Sequence, residues 1–268
     1  MAPPHNTTLS PTHWSRPHLI EALLEAVATL GLDLQSATPE AMAPLDQFHG
    51  GAHEATRALA RHAGIQTGMR VLDVGGGFGG PARMLAVEYG AQVTVLDFTA
   101  DYLHAGAMLT ERMGLSQQVT FHHGNALDMP FPDGSFDVVW TQNSGMQIAD
   151  KARLYRGYFR VLRAGGRLAQ LEPVLGVGQP PYLPLMWANT PEQNQVVTAE
   201  TLHAVIGTAG FVAYHWEPNI HFPDPPVRPV VTIQRLVMGE YLQTIQEARL
   251  RNEAEDRLRS VLGVFIRP

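Results

Sequence analysis

Residues 71–80, VLDVGGGFGG, set five glycines into six positions directly after a short apolar run. RVLDV (70–74) reads as a buried strand. The glycines read as a tight turn that brings backbone close to a ligand before a helix begins at GPARMLAVEYG. A turn without a ligand has no use for five residues that each lose so much conformational freedom on folding.

Two templates fit the loop. Gly75, Gly77 and Gly80 satisfy G-x-G-x-x-G, the dinucleotide fingerprint, while Asp73, Gly75, Gly77 and Gly79 satisfy D-x-G-x-G-x-G. The Asp73 carboxylate favours the second. At the strand tip it would repel a pyrophosphate, whereas S-adenosylmethionine carries an α-ammonium group that needs such a partner. Asp97 ends the next strand, 22 residues after Gly75, at the spacing of a carboxylate that accepts both ribose hydroxyls. Either cofactor uses that residue, so an NAD(P)-dependent oxidoreductase stays open as an alternative.

Outward from the loop, strands and helices alternate. QVTVLD (92–97), QVTFHH (118–123), FDVVWT (136–141) and RLAQLEP (167–173) read as strands, and FVAYHWE (211–217) and SVLGVFIRP (260–268) add two more. This predicts an α/β fold with a doubly wound, mostly parallel seven-stranded sheet of Rossmann-like type, binding ligands beyond the carboxyl ends of its strands. Before the loop, PHLIEALLEAVATLG (17–31), PEAMAPL (39–45) and AHEATRALARHAG (52–64) read as helices. FPDPPVRPV (222–230) is kept out of a sheet centre by four prolines, and 231–257 reads as a polar helix. The expected division is a flexible tail (1–16) and a single domain (17–268). That domain comprises a helical lid (17–66), a cofactor-binding core (67–173), a substrate-cap insertion (174–198) and the C-terminal part of the sheet (199–268).

Of 268 residues, 45% are hydrophobic and 16% charged, which describes a globular chain with a substantial core. A net charge of −6 without any Lys/Arg-rich run disfavours nucleic acid and anionic membranes as partners. The absence of cysteine excludes disulfides, thiolate catalysis and thiolate metal sites. No apolar stretch reaches membrane-spanning length, and the opening MAPPHNTTLSPTHWSRP lacks the apolar core of a secretory signal, so the expectation is cytoplasmic. Histidines number 12, but His122 and His123 fall on opposite strand faces and His49 and His53 lack a third partner, so no metal site is expected.

Residues 73–79, LDF (96–98), GNALDMPFPDGSFDVVW (124–140) and YFRVLRAGGRL (158–168) together resemble a class I S-adenosylmethionine-dependent methyltransferase over roughly residues 46–216. LDQFHGGAHEAT (45–56) and ADKARLY (149–155) look like its small-molecule branch, which includes sarcosine/dimethylglycine methyltransferases. The resemblance implies that Gly75, Gly77 and Gly79 turn against the methionyl portion and Asp97 takes the ribose diol. Phe98 and Asn125 would lie at the adenine, Ala126 would offer its N–H to the ring, and Gln142 would flank the methyl donor. It further implies SN2 transfer to a nitrogen, oxygen or carbon nucleophile of a small molecule, leaving S-adenosyl-L-homocysteine. A protein of this fold that binds the same cofactor for another reaction is the alternative.

On the acceptor side, His49 in DQFHGG is the candidate base or orienting group, Glu172 a candidate proton acceptor at the end of strand five, and Asn143 a candidate hydrogen-bonding partner. Phe48, Met146 and Trp187 are expected to wall an apolar pocket for either a sarcosine-like amine or a less polar secondary metabolite. The N-terminal helices leave two alternatives open, a lid and a homodimer contact.

Overall fold

The run before the glycine turn forms β1 (Arg70–Val74), whose last four residues are buried. It lies between β2 (Gln92–Asp97) and β4 (Phe136–Gln142). In β4 every residue but Asp137 is buried, as expected where helices cover both faces of a parallel sheet. The computed structural model describes Trp14, Arg16 and residues 18–177, 180–222 and 231–268. With β3 (Val119–His123), β5 (Leu162–Leu175), β6 (Val212–Ile220) and β7 (Leu258–Ile266), the sheet runs β3-β2-β1-β4-β5-β7-β6. β1 to β5 pair in parallel, and β7 is antiparallel to both its neighbours. Strand order reverses between β1 and β4, so a crevice opens beyond their carboxyl ends.

Side chains alternate across each strand and feed two cores. On one face Val71, Val93 and Val138 pack against α3 (Ala52–Ala63) and α4 (Gly80–Tyr89). On the other, Leu72, Val139 and Leu168 pack against α6 (Lys151–Val161) and α7 (Ala199–Thr208). A third core joins Leu23 of α1 (Leu19–Thr29), Leu45 of α2 (Pro39–Asp46), Tyr102 of α5 (Ala100–Arg112), Ile233 of α8 (Ile233–Met238) and Ile245 of α9 (Tyr241–Ala254) around Phe78 of the glycine turn. Fully burying side chains of this size contributes about 1.5–3 kcal/mol each. Helices from both ends of the chain therefore close over one turn.

A buried ion pair fixes this arrangement. Arg83 of α4 meets Asp46 of α2 at 2.9 Å and also donates to Phe78 O at 2.8 Å and Thr110 Oγ1 at 3.0 Å. Removing one partner of such a pair strands a charge at a cost of about 3–5 kcal/mol.

The expected strands all form, and the structure refines the reading elsewhere. The polar helix is two helices, broken at Gly239 where φ is 57°. Residues 163–166 are skipped in the pairing of β5 with β4, whose register jumps from Phe136↔Leu162 to Val138↔Arg167. The proposed tail is not all free. Trp14 Nε1 donates to Gln147 Oε1 at 3.0 Å, and Arg16 donates to the Val237 carbonyl. The rest of that tail, and all of 222–230 except Phe222, lie outside the described residues.

Candidate active site

A cavity of about 2330 Å³ opens at the carboxyl ends of β1, β2 and β4. Ligand sites commonly occupy about 300–1,000 Å³, so this space exceeds what one cofactor fills.

Its inner end is the glycine turn. Gly75 has φ 73°, and a Cβ there would lie 2.3 Å from Ser144 Cβ, so only glycine allows the turn to approach the loop after β4. Gly77 N–H donates to Asp97 Oδ2 at 2.9 Å, and Thr99 N–H to Oδ1 at 2.8 Å. Asp97 is thus aimed into the cavity by two backbone amides. Asp73 lines the same end, wholly buried, with no partner for Oδ2. Burial, and then the charge of Asp97, push its carboxyl up to about 8. A buried acid held in this way is a poised partner for a cation.

Phe98, Asn125 and Ala126 line the next part of the wall. Phe98 is 43% exposed and stacks on His123 with ring centroids 6.2 Å apart. The Asn125 side-chain oxygen already accepts from Leu127 N–H at 2.9 Å, so only its second lone pair is left for a ligand. Gly79 does not line the cavity. It is the N-cap of α4, where a Cβ would strike Phe121, and of the neighbouring glycines it is Gly75, Gly76 and Gly77 that line the wall.

The outer end joins Phe48, His49, Asn143, Met146 and Trp187. Phe48 packs edge-on against Trp14 at 5.8 Å, and Trp187 sits with Met146 in a small apolar cluster. Asn143 has φ 54°, a left-handed backbone that asparagine tolerates, and its N–H donates to Leu171 O at 2.9 Å.

His49 is buried, and both ring nitrogens are engaged. Nδ1 lies 3.1 Å from Gly50 O, and Nε2 lies 2.8 Å from the Gln47 amide and 3.1 Å from Thr56 Oγ1. Burial lowers its pKa to about 4. A neutral ring carries one N–H, so it donates either from Nδ1 to Gly50 O or from Nε2 to Gln47 Oε1.

Glu172 does not line this cavity. Its Oε1 accepts from Gly145 N–H at 3.0 Å, Thr141 Oγ–H at 3.2 Å and Ser144 N–H at 3.3 Å, and burial pushes its pKa up. Expected as a proton acceptor at the site, Glu172 is placed behind the wall, where it holds residues 144–145. Lys151 completes that hold, donating to Gly145 O at 2.9 Å, Ile148 O at 2.9 Å and Gln195 O at 2.8 Å. Lys151, Gln47, Thr56, Gln147 and Trp14 escaped the sequence reading. Trp14 sat in a segment taken for a tail, and the others form contacts between distant segments that no local spacing signals.

Residues 72–170 match the family model described as a methyltransferase domain. Over this stretch the chain resembles a methyltransferase domain. Its seven-stranded sheet is that of the class I methyltransferases, as expected. Across 139 residues the chain is 34% identical to a sterol 24-C-methyltransferase of Pneumocystis carinii, covering 52% of this chain and 35% of that protein. Across 131 residues it is 30% identical to a glycine/sarcosine/dimethylglycine N-methyltransferase of Actinopolyspora halophila, covering 49% and 23%. The chain thus spans well under half the length of these curated relatives. In three dimensions the chain superposes on the [4+2]-cyclase SpnF with a TM-score of 0.64, 25% identity and 93% of each chain covered. The same sheet therefore serves more than one chemistry. Among the described residues no helix is long and apolar enough to cross a membrane, and no cluster of His, Asp and Glu is arranged to hold a metal.

Proposed function

We propose that this protein is an S-adenosylmethionine-dependent methyltransferase acting on a small, largely apolar molecule such as a secondary metabolite. The observation that carries the reading is the pair Asp73 and Asp97 at one end of a cavity too large for the cofactor alone. The fit is chemical. The partnerless Asp73 Oδ2 suits an ammonium group, Asp97 suits a ribose diol, and the backbone of Gly75, Gly76 and Gly77 suits close approach. Phe98, Asn125 and Ala126 would border the adenine, and Gln142 and Asn143 the methyl-bearing end.

When bound, S-adenosylmethionine supplies a methyl group already activated for direct SN2 displacement, and S-adenosylhomocysteine remains. The protein's part is then positioning, for which well-oriented pairs gain roughly 7–11 kcal/mol. Lys151 and Glu172 set the loop that bears Asn143 and Met146. Phe48, Met146 and Trp187 hold the acceptor and exclude water. His49, neutral at pH 7, would take a proton from an acceptor that must lose one only by giving up a contact with Gln47 or Thr56. Residues 17–66 act as a lid and 174–198 as a substrate cap in this reading, with a cytoplasmic location and a homodimer as further proposals.

Calorimetric titration with S-adenosylhomocysteine and with NADH tests the cofactor, and transfer of labelled methyl to pools of amines, phenols and terpenoids tests the reaction. Binding of NADH alone would sink the reading. Tight S-adenosylhomocysteine binding without label transfer to any pool would favour a different reaction on this cofactor.

A further inference from the structure

Two glutamines on the acceptor side are locked in the same sense. Gln142 Oε1 accepts from Trp140 Nε1–H at 3.0 Å and from Thr56 Oγ–H at 3.2 Å. Gln147 Oε1 accepts from Trp14 Nε1–H at 3.0 Å. An indole nitrogen can only donate, so neither carboxamide can turn round, and each keeps its –NH₂ for another partner. In Gln142 that –NH₂ is buried without any partner in the fold. Leaving such a donor bare costs free energy unless a ligand meets it.

Both residues line the cavity. Gln142 ends β4, two residues past Trp140, which pairs with Asp73 across the strand-order reversal. The polar chemistry that this wall leaves unmet is therefore donation, at the level where the cofactor end gives way to the acceptor end. Apart from Asp73 and Asp97, which belong to the cofactor end, the carboxylates of the cavity offer no counter-charge. Glu172 faces away, Glu54, Glu253 and Asp256 pair with Arg57, Arg249 and Arg259, and Asp46 pairs with Arg83. Asp150 caps α6, and Glu40 and Glu240 are exposed.

We propose that Gln142 and Gln147 bind an oxygen of the acceptor, so that the enzyme takes neutral or oxyanionic oxygen-bearing molecules, phenols or enolisable ketones, in preference to aliphatic amines. An amine enters from water as an ammonium ion, which such a wall meets with N–H against N–H. This rests on the methyltransferase reading above and narrows it, because a hydroxyl or enol oxygen held here lies beside the neutral His49.

The test uses the full chain saturated with S-adenosylhomocysteine, titrated by calorimetry with 2-naphthol and with 2-naphthylmethylammonium, which are similar in apolar bulk. Binding of the naphthol at least about tenfold tighter is expected, the worth of roughly one good hydrogen bond. Gln142→Leu and Gln147→Leu should each remove most of that preference, and in Gln147→Leu S-adenosylhomocysteine affinity should hold within about twofold. Gln142→Glu, which keeps the oxygen for Trp140 and loses the donor, should weaken the naphthol and strengthen the ammonium ion. Equal or reversed preference in the wild type, or no naphthol binding, overturns the proposal. So does a Gln147→Leu variant that keeps the wild-type preference for the naphthol. Failure of the wild type to bind S-adenosylhomocysteine is a separate result and strikes the underlying reading instead.

Discussion

Lys151 and Glu172 grip one residue from opposite sides. Gly145 N–H donates to Glu172 Oε1 at 3.0 Å, and Gly145 O accepts from Lys151 Nζ at 2.9 Å. A buried cation and a buried acid thus hold the loop that follows β4, and through it Asn143, Met146 and Gln147. Lys151→Met should lower methyl transfer by about tenfold or more, the effect of a misplaced reacting geometry, while S-adenosylhomocysteine affinity stays near that of the wild type. A parallel fall in both would show a general loss of structure.

The same lysine carries a pH signature. Burial lowers its pKa from 10.5 to about 8, so between those values the unfolded chain holds a proton that the fold has released. The contribution of Lys151 to stability therefore rises as pH climbs from about 8 to 10.5. Urea unfolding of the wild type against Lys151→Met should show the difference moving in favour of the wild type across that window. A constant difference would place the lysine in a wetter setting than its three carbonyl partners imply.

Asp73 behaves in the opposite sense. Its carboxyl is pushed from 3.8 up to about 8, so the ligand-free fold keeps a proton that the unfolded chain sheds, and stability is lost as pH rises from about 4 to 8. An ammonium partner requires the ionised form. Binding of S-adenosylhomocysteine at pH 7 should release a proton, seen as a buffer-dependent calorimetric enthalpy, and affinity should climb from pH 6 to 8. Asp73→Asn should stabilise the ligand-free protein at pH 7.5, weaken binding by about 10- to 100-fold and abolish the pH dependence. Proton uptake on binding would contradict this.

Two glycine substitutions should separate function from fold. A Cβ on Gly76 would lie 2.5 Å from Asp73 Oδ2 and 2.9 Å from Val95 Cγ1, so Gly76→Ala should displace the carboxylate and cut cofactor affinity. Gly207 in α7 has nothing within 4 Å of the same position, and Gly207→Ala should stabilise by about 0.5–1 kcal/mol through helix propensity. Thermal unfolding and S-adenosylhomocysteine titration of both variants read the contrast.

His49 should leave no inflection near pH 6.5 in the rate profile, because its pKa lies at about 4 and the ring stays neutral through the working range. His49→Ala should slow transfer to a phenol and spare cofactor binding. A rate that falls as pH drops from 7.5 to 5.5 and loses that slope in His49→Ala would mean the histidine is more solvated than its contacts with Gln47, Thr56 and Gly50 allow.

The cofactor end was legible in the sequence because its parts are local. A strand, a glycine turn and a strand-end acid occupy two short segments, and strand periodicity fixes where Asp73 and Asp97 emerge. Gly79 is the N-cap of α4 and lies off the cavity lining, because one motif spans both the turn and the helix cap. The acceptor end was not legible. Whether Glu172 faces a substrate or a neighbouring loop, and whether Gln142 shows its oxygen or its –NH₂, depends on Lys151, Trp140 and Thr56, brought together from distant parts of the chain. Sequence alone thus determined the sheet, the turn and the acids that suit the cofactor, since backbone geometry repeats at short range. Only the tertiary structure decided which polar atoms remain for the acceptor, because hydrogen bonds are satisfied by whatever neighbour folding supplies.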